Sequence, residues 1–345
     1  MSQLRQDRTT KEWVIIAAER AKRPHDFKRI EPTIEMPPYK ADCPFCPGNE
    51  HLTPPETLAY RSGGPPNSRG WWVRVIPNKF PALVPDGSLE RKEEKGFFRM
   101  MDGVGVHEVV IGSPIHNQRF PFLDDKQVEE LLLAYRERYL GLRGDERIKL
   151  IIIFKNHGKG AGTSLEHTHS QIVGTGIVPS NIRRKLEEAS RYYDDHGCCV
   201  YCDLIEEELS IGKRIIMENE KFVVLHPFAS RFPFETWIIP KNHQASFGQI
   251  SMDDSKIFGK ILKATLYKLY IKLNDPDYNY VIHTSPIKDE GEDYYHWHLQ
   301  IIPRLTTPAG FEMGSGIYIN IAFPEDTAQF LREDQNSQEI PSLTG

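Results

Sequence analysis

The sequence predicts an α+β fold built on antiparallel sheet, with one strand-and-helix unit occurring twice along the chain. Three observations carry that expectation. Strand-like stretches fall at 72–76, 107–112, 149–155, 167–173, 221–226, 235–239, 278–284 and 296–302, in runs punctuated by single helical stretches at 124–140, 181–196 and 252–273. At 345 residues the chain exceeds the usual length of one compact domain. The order of its cysteines and histidines also repeats, which places a division inside the 181–196 helix and predicts two units, 1–185 and 186–345.

Taken in order, residues 31–70 and 84–96 are rich in proline, glycine and charge and read as loop and extended connection. Glu108 through His116 parallels Glu235 through His243, each a strand that opens on glutamate and closes on histidine eight positions later. Each is followed by a helix whose apolar residues recur at three- and four-residue intervals, then by a strand, 149–155 or 278–284. A glycine-containing loop leads next into His-x-His-x-Gln, as His167-Thr-His169-Ser-Gln171 in the first unit and His296-Trp-His298-Leu-Gln300 in the second. The spacing agrees as well, with 51 residues from His116 to His167 and 53 from His243 to His296.

Charge narrows the function classes. Lysine and arginine number 43 against 48 acidic residues, a net charge of −5, so no global basic field exists to hold a nucleic acid. The longest apolar runs, such as Leu150 to Phe154, are strand-sized, and a cytoplasmic protein with a small ligand is expected, with no membrane partner. Five cysteines in two places, Cys43 with Cys46 and Cys198, Cys199 with Cys202, favour metal ligation over a disulfide framework.

Zinc takes four tetrahedral sulfur and nitrogen ligands, and a C-x-x-C turn supplies two. The repeat assigns Cys43, Cys46, His116 and His167 to one site and Cys199, Cys202, His243 and His296 to the other, hence two zinc ions per chain, with iron an alternative at one of them. His226 competes as a ligand in the second unit, but His243 holds the position equivalent to His116. Four protein ligands close each site, which implies a structural role. Cys198 is a bystander.

Asn156-His-Gly-Lys-Gly-Ala-Gly-Thr-Ser164 has the composition of a phosphate cradle: Gly160 and Gly162 let backbone amides converge, while Lys159, Thr163 and Ser164 add donors. It leads directly into His169 and Gln171, which share one face of a strand. A neutral imidazole can attack phosphorus if its other nitrogen is held protonated by an acceptor, and His169 suits that role, with Gln171 donating to a non-bridging oxygen. His298 is the second candidate, ranked lower because residues 285–293 before it are acidic.

These residues resemble the galactose-1-phosphate uridylyltransferase family, the transferase branch of the histidine-triad superfamily. The resemblance runs from Lys11 to Arg304 and is specific at Arg20-Ala-Lys-Arg-Pro24, Cys43-Pro-Phe-Cys46, Asn78 to Leu83, His116, and Asn156 to Gln171. It implies two histidine-triad-like repeats in one shared antiparallel sheet with flanking helices, usually as a dimer. It also implies a nucleotidylated His169, phosphate contacts from Asn156, Ser164 and Gln171, and positions for Arg20, Arg23 and Asn78 around the nucleotide or sugar phosphate. Gln171 stands where histidine-triad hydrolases carry a third histidine, which favours transfer over hydrolysis. The implied partners are a nucleotide sugar with a sugar phosphate, as in UDP-glucose:hexose-1-phosphate uridylyl transfer. The paired C-x-x-C motifs, His-x-His-Ser-Gln and Gly314 to Asn320 also resemble the ADP-glucose phosphorylase subgroup, which transfers adenylyl to phosphate. A non-enzymatic zinc-ribbon module predicts basic, aromatic-studded surfaces, and the acidic balance argues against it.

Overall fold

The computed structural model describes residues 1–17, 23–29 and 36–333, so Arg20 lies outside the described residues. In chain order the strands are β1 (Gln3–Gln6), β2 (Trp13–Ile16), β3 (Leu58–Arg61), β4 (Trp71–Pro77), β5 (Lys92–Glu94), β6 (Phe98–Met100), β7 (Gly105–Ile111), β8 (Leu150–His157), β9 (His169–Thr175), β10 (Ile215–Glu218), β11 (Phe222–Leu225), β12 (Thr236–Pro240), β13 (Tyr278–His283), β14 (His298–Pro303) and β15 (Tyr318–Asn320). The helices are α1 (Asp125–Arg143), α2 (Ser180–His196), α3 (Val200–Ile211), α4 (Met252–Leu273), α5 (Gly310–Ser315) and α6 (Pro324–Arg332).

Ten strands form one sheet in the order β10-β11-β12-β14-β13-β8-β9-β7-β4-β3, antiparallel at every pairing. The two units join at its centre, where β8 and β13 pair with Asn156 opposite Asn279. This is the shared antiparallel sheet that the family resemblance implied. β1 and β2 add a small sheet with β15, so the first sixteen residues pack with the end of the chain.

Alternation along the strands decides what covers each face. Val110, Ile151, Ile153, Ile172, Tyr280, Leu299 and Ile301 turn to one face and are buried with α1 and α4 in the main core. α1 begins where Asp124 accepts the Gln127 N–H, and α4 begins where Ser251 accepts that of Asp254. α4 ends on Asn274, whose left-handed φ of 59° closes the helix. On the other face, α2 and α3 cover Val223, Leu225, Trp237 and Ile239 at one end. Cys43, Phe45 and Cys46 cover Trp71, Ile76, Val109 and Ile111 at the other. Between these covers Phe154, Asn156, Gln171, Asn279 and Val281 stay half-buried, which leaves a trough along the middle of the sheet. Among the described residues no helix is long and apolar enough to cross a membrane.

Candidate active site and metal clusters

Both expected ligand sets assemble. The ligand atoms of Cys43, Cys46, His116 and His167 lie within 4.8 Å of one another, as do those of Cys199, Cys202, His243 and His296. In the first cluster Cys46 Sγ is 3.5 Å from His116 Nδ1 and 3.7 Å from His167 Nδ1, and Cys43 Sγ is 3.7 Å from His167 Nδ1. A tetrahedral ion with bonds of about 2.3 Å to sulfur and about 2.0 Å to nitrogen separates such ligands by about 3.5 Å, so the four side chains are spaced to hold one. His167 Nε2 donates to the Ser113 carbonyl at 2.8 Å, which turns Nδ1 inward as ligation requires. Burial holds His167 neutral, pushing it down to about 4, and lowers His116 too. The same burial pushes the Cys43 thiol up to about 11, so its thiolate depends on a cation among the four groups.

The second cluster has the same spacing, with Cys202 Sγ 3.4 Å from His243 Nδ1 and 3.7 Å from His296 Nδ1. His226 takes no part in it, being fully buried with Nδ1 2.7 Å from Thr327 Oγ1.

His169 opens β9 at 7% exposure, facing the trough with Phe45 edge-on at 5.4 Å. Its Nδ1 lies 2.8 Å from the His167 carbonyl oxygen. A carbonyl only accepts, so Nδ1 carries the ring proton and Nε2 keeps its lone pair. Burial pushes this imidazole down to about 4, which keeps it neutral. Two residues on, Gln171 Oε1 lies 2.7 Å from His107 Nε2. Asn156 Oδ1 accepts from Asn279 Nδ2 at 2.8 Å, which leaves both N–H donors of Asn156 available.

The glycine loop is arranged differently from a simple ring of phosphate donors. Gly160 N–H is committed to Asp277 Oδ2 at 2.6 Å and the Thr163 hydroxyl to the Leu165 carbonyl at 3.3 Å, so neither points at a ligand. Gly158 and Gly162 adopt φ of 83° and 82° and shape the turn instead. Ser164, Thr163 and Lys159 line a cavity of about 270 Å³ beside Lys40, Cys43 and His116. Asn78, just after β4, has its Nδ2 3.1 Å from His107 Nε2. Arg23 is exposed and precedes the Pro24–Phe27 turn, whose His25 meets Phe330 of α6 edge-on at 4.6 Å.

The second unit corrects the repeat as read from sequence. Glu108 and Glu235 are not equivalent: Val109 pairs with Gln171 and Trp237 with Gln300, so the position matching Glu235 is His107. Glu108 faces the other side and is bidentate with Arg138 at 2.8 and 2.9 Å. His298 is 1% exposed, stacked on Trp237 at 4.5 Å and on His283 at 4.9 Å. No substrate could lie against its ring there. His107, Asp277 and Asn279 escaped the sequence reading because the first was hidden by the glutamate alignment and the others belong to the second unit.

Comparison with known proteins agrees with this architecture. Residues 1–179 match the galactose-1-phosphate uridyl transferase N-terminal domain family and residues 185–310 the corresponding C-terminal domain family. An ADP-glucose phosphorylase of Arabidopsis thaliana is 39% identical over 96% of this chain and 92% of that one. A galactose-1-phosphate uridylyltransferase of Thermotoga maritima is 32% identical, covering 97% of this chain and 99% of that one. The crystal structure of an ADP-glucose phosphorylase from Arabidopsis thaliana with bound ADP-glucose superposes with a TM-score of 0.81 at 36% identity, covering 97% of this chain and all of that one. With both of its halves matched and the sheet and both Cys/His clusters in place, the chain belongs to the galactose-1-phosphate uridyl transferase family and is an enzyme, a nucleotidyltransferase.

Proposed function

We propose that the enzyme works by double displacement through a nucleotidyl-His169 intermediate. The observation that carries this is the 2.8 Å hydrogen bond from Nδ1 to the His167 carbonyl, which leaves Nε2 as the nucleophilic nitrogen of a neutral ring. Nε2 attacks the α-phosphorus of a nucleoside diphosphate sugar, and the bond from that phosphorus to the bridging oxygen breaks, releasing sugar phosphate. The ring gains positive charge as the P–N bond forms, and the carbonyl on Nδ1–H stabilises it. An acceptor phosphate oxygen then attacks the same phosphorus, and the P–N electron pair returns to Nε2. The N–H2 groups of Gln171 and Asn156 face the trough and suit the non-bridging oxygens, and Ser164, lining the cavity beside Cys43 and His116, adds a hydroxyl.

Family membership supports UDP-sugar as donor and hexose 1-phosphate as acceptor. A second reading, an ADP-sugar with inorganic phosphate, is favoured by the 39% identity to an ADP-glucose phosphorylase. Enzyme alone, mixed with UDP- or ADP-sugar and quenched, should yield the nucleotidyl-protein with the preferred base, and adding phosphate or hexose phosphate should identify the acceptor. Failure of every nucleotide sugar to label His169 would overturn the proposal.

Zinc belongs to the same reading. The two sulfur and two nitrogen donors of each cluster fit it, and it would supply a closed structural tie between the C-x-x-C turn and the loops at the ends of β7 and β9, or of β12 and β14. So does a homodimer, which the family resemblance implies and light scattering would test. Units 1–185 and 186–345 are proposed as the two repeats, with proteolytic nicking within 180–196 as the test.

A further inference from the structure

Gln171 is useful only if its amide nitrogen, and not its oxygen, faces the transferring phosphoryl group. We propose that His107 fixes that choice, as a positioning residue for nucleotidyl transfer. The Ala82 N–H donates to His107 Nδ1 at 3.1 Å. A ring nitrogen that accepts a backbone N–H carries no proton, so in the neutral ring the proton sits on Nε2. Two side-chain atoms lie near it: Gln171 Oε1 at 2.7 Å and Asn78 Nδ2 at 3.1 Å. Of these only the oxygen can accept. The hydrogen bond therefore runs from His107 to Gln171 Oε1, and the Gln171 N–H2 is left pointing away from His107.

The duplication supplies an internal control. Gln300 is the repeat counterpart of Gln171, and Glu235 holds the position of His107. Glu235 is an acceptor, and it captures Gln300 Nε2 at 2.7 Å while His283 Nε2 meets Gln300 Oε1 at 2.8 Å. Both ends of that amide are consumed. The same glutamine thus turns its amide nitrogen away from its neighbour in one unit and toward it in the other, according to whether that neighbour donates or accepts. Rotation about the last glutamine torsion is soft. Without His107 the amide of Gln171 is free to present oxygen lone pairs to the phosphate, where they repel.

This inference rests on the nucleotidyl-His169 reading, and the test separates the two. Release of sugar phosphate in a single turnover, at saturating nucleotide sugar, is followed for wild type, His107→Phe, His107→Gln, Gln171→Ala and the double variant His107→Phe/Gln171→Ala. His107→Phe should slow nucleotidylation roughly 10- to 100-fold, less than the roughly 100- to 1000-fold of deleting a transition-state donor outright because Gln171 remains, with the donor KM changed by less than about 3-fold. In the Gln171→Ala background the same change should cost less than about 3-fold, because its target is gone. His107→Gln, which keeps an N–H donor, should recover part of the rate. Metal content and circular dichroism establish that each variant is folded, and if His107→Phe fails to fold, the His107→Gln and His107→Glu pair decides, the latter expected to be the slower. Absence of nucleotidyl-enzyme in the wild type overturns both readings. A wild type that forms it, with His107→Phe equally fast or with losses that multiply in the double variant, overturns the role of His107 alone.

Discussion

The glycine loop offers a quantitative test, because Gly158 and Asp277 compete for the same space. Gly158 has φ 83° and ψ 161°, and a Cβ on it would stand 1.9 Å from Asp277 Oδ1 and 2.2 Å from Cγ. Gly158→Ala thus carries two separable penalties. Backbone strain at a positive φ costs roughly 1–3 kcal/mol. Expelling Asp277 also breaks its charge-assisted bond from the Gly160 N–H, 2.6 Å long, worth roughly 1.5–3 kcal/mol. The Asp277 pair with Arg29 at 3.3 Å is partly exposed and adds less than about 1 kcal/mol. The single substitution should therefore destabilise by about 3–6 kcal/mol. Asp277→Ala alone should cost roughly the hydrogen bond, 1.5–3 kcal/mol. In the Asp277→Ala background the strain remains, with the Cβ at 277 still 2.9 Å from the new methyl, so Gly158→Ala should then cost at least roughly 1–3 kcal/mol, a coupling of up to about 2 kcal/mol. Urea unfolding of the four metal-loaded proteins, compared at constant slope, measures it. Additivity within about 0.5 kcal/mol would refute the clamp and leave the glycine to backbone strain alone.

Three further outcomes are expected. His169→Gly should abolish the burst of sugar phosphate while leaving metal content unchanged, with added imidazole restoring partial turnover; a variant that keeps most of its activity would place the nucleophile elsewhere. Protein purified without chelator should carry about two metal ions per chain, and Cys43→Ser and Cys199→Ser should each retain about one, so a folded, active wild type without metal would refute both sites. His226, pushed down to about 3 by burial, is neutral when folded, while its unfolded form protonates below about 6.5, so stability is full above that value and falls as pH is lowered towards 3. At pH 5 the loss from this group is about 2 kcal/mol, and the pH 8 to pH 5 difference should shrink by that amount in His226→Gln; an unchanged difference would mean the imidazole is not held neutral.

The sheet was largely legible because its strands alternate and because the chemistry-bearing residues lie at their ends. Each of the eight expected strands appears within two or three residues of its expected bounds, and the 252–273 helix matches at both ends. His167 and His296 precede their strands instead of lying in them, because each must turn Nδ1 toward a cluster formed with a distant C-x-x-C. α3 was not read as a separate helix. Cys199 caps its start and Cys202 lies in its first turn, a spacing that reads as a knuckle whatever follows it. The loop donors were overread for a related reason. Glycine-rich composition shows that a backbone can bend, but not which amides a neighbour such as Asp277 has already taken.

Only the first repeat is proposed to be active, and this rests on two positions that differ on one shared scaffold. Phe45 and Tyr201 occupy the same place in their C-x-x-C turns, and each lies beside the histidine of its unit, at 5.4 and 5.3 Å. That much is shared. Beside the glutamine, however, the first unit has Val109 and the second Trp237, whose indole lies on His298 with only 26° between the planes. The volume that a phosphoryl group would occupy over His169 is, in the second unit, filled by that ring. Two residues along the same strand, His107 gives way to Glu235, and the donor glutamine becomes a spent one. Removing Trp237 alone would therefore open space beside a carboxylate and a glutamine whose amide nitrogen is already drawn to it, which an anionic phosphoryl group would avoid. The acidic residues at 285–293 reinforce this, but the strand positions decide it. On this reading the chemistry is set by what faces the glutamine, while the Cys/His clusters, alike in both units, are suited to hold the frame.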